Sequence, residues 1–254
     1  MSYEIEISTL NVPCPDGLIL GYVASPKIEG PLPCVIVIHE VYGIRGHVDD
    51  VCNRLAREGY HAVAPMLFTR HGDVHALTDF NAIHAISKAV ADAEVIRDLD
   101  STFDFLATSN RIDPTRIGIT GFCWGGRQVW LYANHNPRLR VGVAWYGGQL
   151  VAEPTALRPR NPLDIADTVH VPILGLYGGS DAIIPLPTIE QMQNRLASVQ
   201  STSRIEVFPD APHGFHAKIR PASFHAEAAQ KGWEMMIEWF SEHGMLSRTK
   251  GSLT

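Results

Sequence analysis

Short apolar runs rich in Val, Ile and Leu recur along this chain, separated by stretches in which apolar residues return at three- and four-residue spacing. The runs near residues 3–9, 17–24, 33–39, 60–64, 116–121, 140–145, 171–177 and 203–208 read as strands. Residues 47–58, 85–108, 126–134, 187–199 and 222–243 read as helices. Strands alternating with helices predict right-handed βαβ units, hence an α/β protein with a mostly parallel, twisted sheet of about eight strands and helices on both faces. The turn Pro13-Cys14-Pro15-Asp16-Gly17 joins the first two strands, which extend that sheet antiparallel. No repeat, low-complexity tract or linker divides residues 1–254, so a single domain is expected. The segment from Gln149 to His170, rich in Pro and Arg, reads as a rim or lid loop. The polar residues from Ser247 to Thr254 are expected to fray.

One junction carries candidate chemistry. The β-branched run Arg116-Ile117-Gly118-Ile119-Thr120 leads into Gly121-Phe122-Cys123-Trp124-Gly125-Gly126 and then into a helix. A strand, a sharp glycine-flanked turn and a helix make a nucleophile elbow, which lifts one side chain above the strand ends. Here that side chain is the Cys123 thiol, where the motif usually carries serine. Cysteine is also a common buried hydrophobe, so packing alone is the competing account.

Two further groups follow in the order nucleophile, acid, histidine. Asp181 lies in Gly178-Gly179-Ser180-Asp181, just after the apolar run 171–177, and His213 lies in the loop that follows the run 204–208. In an open parallel sheet, sites form beyond the carboxyl ends of strands, so all three groups fall on one rim. A thiol with an ordinary pKa of ~8.5 is mostly protonated at neutral pH; a nearby base must take its proton, and an acid must hold an imidazole in the right tautomer. Taken singly, Asp181 is equally a turn or cap residue and His213 a surface or core histidine.

The stretches Val37-Ile38-His39-Glu40-Val41-Tyr42-Gly43, Gly59-Tyr60-His61-Ala62-Val63-Ala64-Pro65, the elbow, Tyr177-Gly178-Gly179-Ser180-Asp181 and His213-Gly214-Phe215 together resemble the dienelactone hydrolase family. The resemblance implies an α/β-hydrolase fold and a Cys123-Asp181-His213 triad. It also implies a glutamate, Glu40, that contacts the thiol, keeps it neutral at rest and accepts its proton when substrate enters. From position alone, Glu40 follows the apolar strand 34–38 and shares the rim with Cys123, and a turn residue bonding backbone amides is the competing account. The backbone N–H groups of Val41 and Trp124 would form the oxyanion hole. Family members hold a substrate carboxylate with arginines. Arg70 matches the first; the second is expected four residues after the histidine, where this chain has Ala217, so Arg220 fills that place only if the loop is longer. Ordinary solvated charge is the competing account of both arginines.

Composition narrows the partners. The net charge of −6 offers no footprint for nucleic acid, and no apolar stretch reaches membrane-spanning length. The N-terminus alternates like a strand and lacks a signal-peptide core, so a cytoplasmic location is expected. Cys14, Cys34, Cys52 and Cys123 show no paired spacing, which argues against disulfides and structural zinc. The chain has 12 histidines, and His71, His75, His84 and His216 among them are read as solvated or substrate-lining because no metal-ligand spacing links them. The sequence thus points to a cofactor-free hydrolase, a monomer or small homo-oligomer, cleaving a lactone or related ester through a cysteine acyl-enzyme. A broad carboxylesterase and a redox-responsive or binding protein using Cys123 are the alternatives.

Overall fold

The strand β3 (Leu32–Ile38) is buried at every position, so it can only be an inner strand. The computed structural model, which describes residues 2–247, sets it between β4 (His61–Pro65) and β5 (Ile112–Phe122), parallel to both. Beyond β5 follow β6 (Gly142–Trp145), β7 (Ile173–Gly178) and β8 (Arg204–Phe208), all parallel. On the other side, β2 (Gly17–Pro26) runs antiparallel to β4, and β1 (Ile5–Cys14) antiparallel to β2. The eight strands lie in the order β1-β2-β4-β3-β5-β6-β7-β8. Both expectations hold, the parallel body and the antiparallel extension.

Strand order also sorts the helices. The step from β3 to β4, through α1 (Val48–Arg57), runs in one direction across the sheet, and every later step runs in the other. Right-handed crossovers then put α1 on one face and α2 (Phe80–Ala89), α3 (Asp92–Ala107), α4 (Trp124–His135), α5 (Pro162–Ile165) and α6 (Leu186–Ser198) on the opposite one. Successive packing of α3 on α4, α4 on α5 and α5 on α6 agrees with this. After β8 the chain returns to α1 with α7 (Ala226–Glu242), where the Arg54 guanidinium lies 3.7 Å from the centre of the Trp233 ring. Among the described residues no helix is long and apolar enough to cross a membrane. The segment 248–254, expected to fray, lies outside the described residues.

Two expectations change. The stretch 85–108 is not one helix: α2 ends early and α3 starts afresh, because Val90 and Ala91 are extended. The loop after β6 explains the break. Arg158 donates to the carbonyl of Ser87, and the carbonyl of Leu157 accepts the N–H of Asp92. That same loop, read as a rim or lid, contains α5 and is pinned to the body. Arg127 of α4 makes a two-pronged ion pair with Asp92, at 2.6 and 2.9 Å, and donates to the carbonyl of Arg160 at 2.9 Å.

Asp92 and Arg127 are both buried, so removing one leaves the other charge stranded. Asp92→Ala is expected to cost about 3–5 kcal/mol in urea unfolding. A loss under about 1 kcal/mol would mean that solvent reaches the guanidinium and compensates it.

Candidate active site

The carboxyl ends of four strands bring the site together. β3 leads to Glu40, β5 to Cys123, β7 to Asp181 and β8 to His213. Cys123 has φ 54° and ψ −114°, a left-handed backbone that a residue with a Cβ adopts only under constraint. Its N–H donates to the carbonyl of Trp145 on the neighbouring strand, at 3.0 Å. The strain therefore falls on the cysteine itself. Its flanking glycines serve close approach: a Cβ on Gly121 would sit 2.5 Å from the carbonyl oxygen of Gly125, and one on Gly125 2.5 Å from that of Ile38.

Asp181 accepts the N–H groups of Ile183 and Ile184 on one oxygen, at 2.7 and 3.0 Å. Its other oxygen takes His213 Nδ1 at 2.7 Å. Nε2 of the same ring then faces Cys123 Sγ at 3.2 Å. Burial opposes charge on His213, yet the hydrogen bonds to Asp181 and Cys123 outweigh it and lift its pKa to about 10. An imidazolium beside the sulfur is thus favoured. The edge of the buried Tyr146 ring packs on His213, with centroids 5.3 Å apart.

Glu40 is buried, and both its oxygens are taken. Oε1 receives His47 Nδ1 at 3.3 Å and Oε2 receives Arg220 Nη2 at 2.6 Å. Burial would raise the Glu40 pKa, but the contacts with His47 and Arg220 prevail and hold it below the usual carboxylate range. The expected contact between Glu40 and the thiol is not formed among the described residues; the sulfur has His213 as its partner. Next to Glu40, His39 accepts the Leu67 N–H on Nε2 at 3.0 Å, so its proton sits on Nδ1 and is donated to the Glu40 carbonyl at 2.8 Å. Gly43 N–H donates to the same carbonyl at 3.0 Å. In a trans peptide this turns the Val41 N–H to the opposite side. Neither it nor the Trp124 N–H donates to a protein acceptor among the described residues, so both are free for an oxyanion.

Comparison with known proteins identifies the family. The profile of the Dienelactone hydrolase family matches residues 19–244. The chain belongs to the dienelactone hydrolase family. A Methylorubrum extorquens relative, provisionally named a carboxymethylenebutenolidase, is 46% identical over 238 residues, 93% of this chain and 81% of that protein. A Bradyrhizobium relative, provisionally named a 2-oxo-3-(5-oxofuran-2-ylidene)propanoate lactonase, is 30% identical over 91% of this chain and 92% of its own length. A Klebsiella pneumoniae crystal structure, provisionally titled a dienelactone hydrolase, is 44% identical with a TM-score of 0.90, covering 94% of this chain and 99% of that one. The chain is accordingly a hydrolase of esters or lactones.

The two arginines that the family resemblance singled out separate here. Arg220 reaches the site through Glu40 and lies 4.9 Å from the centre of the Tyr42 ring. Arg70 does not join the cluster: its Nε donates to Glu94 at 2.9 Å and its Nη2 pairs with Asp98, one turn further along α3. The other histidines also find protein partners. His71 meets Glu94 at 2.8 Å, and His75 accepts the Ile44 N–H at 3.1 Å. His216 is not solvated but buried against His47. Among the described residues no group of three or more His, Cys, Asp or Glu is placed to hold a metal ion. His39 and His47 gave no signal of their own in the sequence. His39 sits within the Glu40 motif, and His47 lies seven residues after the glutamate that it touches.

A folded pKa near 10 against an ordinary 6.5 means that His213 contributes stability fully below about pH 6.5 and loses it as pH rises toward 10. Urea unfolding at about pH 6, 8 and 10 should therefore show a shrinking stability advantage of the parent over His213→Gln. A constant difference would show that His213 holds no extra proton in the folded chain.

Proposed function

We propose that this hydrolase opens a carboxylate-bearing lactone through a thioester on Cys123. The sulfur attacks the lactone carbonyl, and the developing oxyanion is met by the N–H groups of Val41 and Trp124. The ring C–O bond breaks, and the departing oxygen takes the proton from His213 Nε2. A water then gives its proton to the same nitrogen and its oxygen to the thioester carbon; the C–S bond breaks, the free acid leaves, and the thiolate is restored beside the imidazolium. Asp181 keeps the imidazole in one tautomer throughout. The observation that carries this reading is the contact of 3.2 Å between Cys123 Sγ and a histidine whose other nitrogen is held by a carboxylate at 2.7 Å.

Anionic substrates are favoured by two further observations. Among the described residues Arg220 has a single carboxylate partner, Glu40, which a substrate carboxylate can replace; Glu40 would then be released toward the thiol. The Bradyrhizobium relative carries a name that places a carboxylate on its lactone. The clamp is therefore assigned to Arg220 and not to Arg70, whose guanidinium is already divided between Glu94 and Asp98.

Cys123→Ala should lower lactone turnover on the order of a thousandfold or more with no loss of fold, and the parent should accumulate a thioester adduct seen by intact-mass measurement. Cys123→Ser should also be badly impaired, since the hydroxyl is a far weaker acid than the thiol. Turnover retained by the alanine variant would remove the nucleophile assignment.

The clamp is tested on matched lactones with and without a carboxylate. Arg220→Ala should cost roughly ten- to a hundred-fold more in kcat/KM on the anionic member than on the neutral one. Arg70→Ala should leave that ratio alone. Equal losses on both lactones would make this a broad esterase.

A further inference from the structure

Behind the active site lies a chain of buried polar groups that the hydrolytic steps leave unused. Glu40 Oε1 meets His47 Nδ1 at 3.3 Å, His47 Nε2 meets His216 Nδ1 at 3.0 Å, and His216 Nε2 meets Arg54 Nη1 at 3.2 Å. Glu40, His47 and His216 are each no more than 4% exposed. The outer end opens on a cavity of about 570 Å³ between α1 and the start of α7, lined by His47, Arg54, His216 and Lys218 among others.

The direction of every hydrogen bond in this chain follows from one residue. A guanidinium has only donors, so His216 Nε2 must accept and the His216 proton must sit on Nδ1. That proton is donated to His47 Nε2, which places the His47 proton on Nδ1, facing Glu40. The alternative fails on counting: a proton on His47 Nε2 would push the His216 proton onto Nε2, against the N–H of Arg54. The surroundings of His216 support its neutral form. Its ring is packed among Phe122, Trp145 and Trp233, with centroids 5.3, 4.6 and 6.0 Å away. Burial is the largest cause that pushes its pKa well below the ordinary range.

We propose that His47 and His216 are positioning residues, a relay whose polarity Arg54 locks and which holds the Glu40 carboxylate ionised and engaged away from Cys123. This rests on the thiol-hydrolase reading of the site above. The relay decides whether Glu40 receives a proton or only a hydrogen bond, and hence whether an anion stands near the sulfur. Among the described residues other groups also face its members, and His39 feels the Glu40 charge. Arg220 holds the second Glu40 oxygen, Tyr42 and Tyr146 feel the Glu40 charge, and Asp50 and Glu58 act on Arg54.

The test reads protons directly, on the full chain. Nitrogen-15 NMR of the histidine rings is expected to show both His47 and His216 as Nδ1–H tautomers at neutral pH. In Arg54→Met, which removes the locking donor, both should become tautomer mixtures. Carbon-13 titration of the Glu40 carboxyl should give a midpoint below the usual range in the parent and on the order of one unit higher in His216→Phe, which fills the aromatic site without a donor. His216→Asn should restore the parent midpoint, because its amide nitrogen takes the Nδ1 place. An Nε2–H or charged His47 in the parent, or an unchanged Glu40 midpoint in His216→Phe, would overturn the proposal. If His216→Phe fails to fold, the parent and Arg54→Met spectra still decide. None of these readouts needs turnover, so a failure of the lactone reading would leave them unaltered.

Discussion

The site depends on one strained backbone unit. Cys123 adopts φ 54° at the point where β5 becomes α4, a conformation that costs an isolated residue roughly 1–3 kcal/mol. It persists because its surroundings leave no alternative. Its N–H is spent on Trp145 of β6, and Gly121 and Gly125 bring β5, α4 and the end of β3 closer together than any side chain would permit. β3 is the strand that delivers Glu40 and Val41, so the same contact that strains the cysteine also sets its distance from the Val41 N–H. The Cys123 sulfur and the Val41 N–H, which the proposed mechanism makes nucleophile and oxyanion donor, are thus positioned by one packing constraint between two adjacent parallel strands.

On that frame, two buried carboxylates are given different work by their partners. Asp181 accepts two backbone N–H groups and the proton of His213, so it cannot move without leaving amides unsatisfied. It is an anchor. Among the described residues the Glu40 carboxylate accepts no backbone donor; its partners are two side chains, His47 and Arg220. Side-chain partners can be exchanged by rotation or displaced by a ligand, so of the two carboxylates Glu40 is the one held by exchangeable contacts. Burial alone does not separate the two roles, since both side chains are nearly inaccessible.

What could be read from the chain follows the same division between local and non-local causes. The alternation of apolar runs and amphipathic stretches was enough for the parallel body and its antiparallel extension, because each strand is identified by its own residues. Cys123, Asp181 and His213 could be grouped because each follows a strand, and strand ends of a parallel sheet share a rim. The break at Val90 and Ala91 was invisible: it is held by Arg158 and Leu157, over 60 residues away, while the local pattern favours continued helix. His47 and His216 were equally silent. They meet only because α7 returns to α1 after β8, and no periodicity in either segment encodes that they face each other.

The arginines carry this furthest. Arg70 and Arg220 are 28% and 29% exposed, so neither accessibility nor residue type distinguishes them. Their partners do. Glu94 and Asp98 lie four residues apart on α3, which puts both carboxylates on one helical face and lets a single guanidinium bridge them. An arginine satisfied twice has little to gain from a third anion and gives up a structural tie when it moves. Arg220 has one carboxylate, and that carboxylate has a second support in His47, so the exchange of Glu40 for another anion strands neither partner. A guanidinium becomes available to a ligand when its existing counterion can be released at low cost, and in this chain His47 is the residue that lowers that cost.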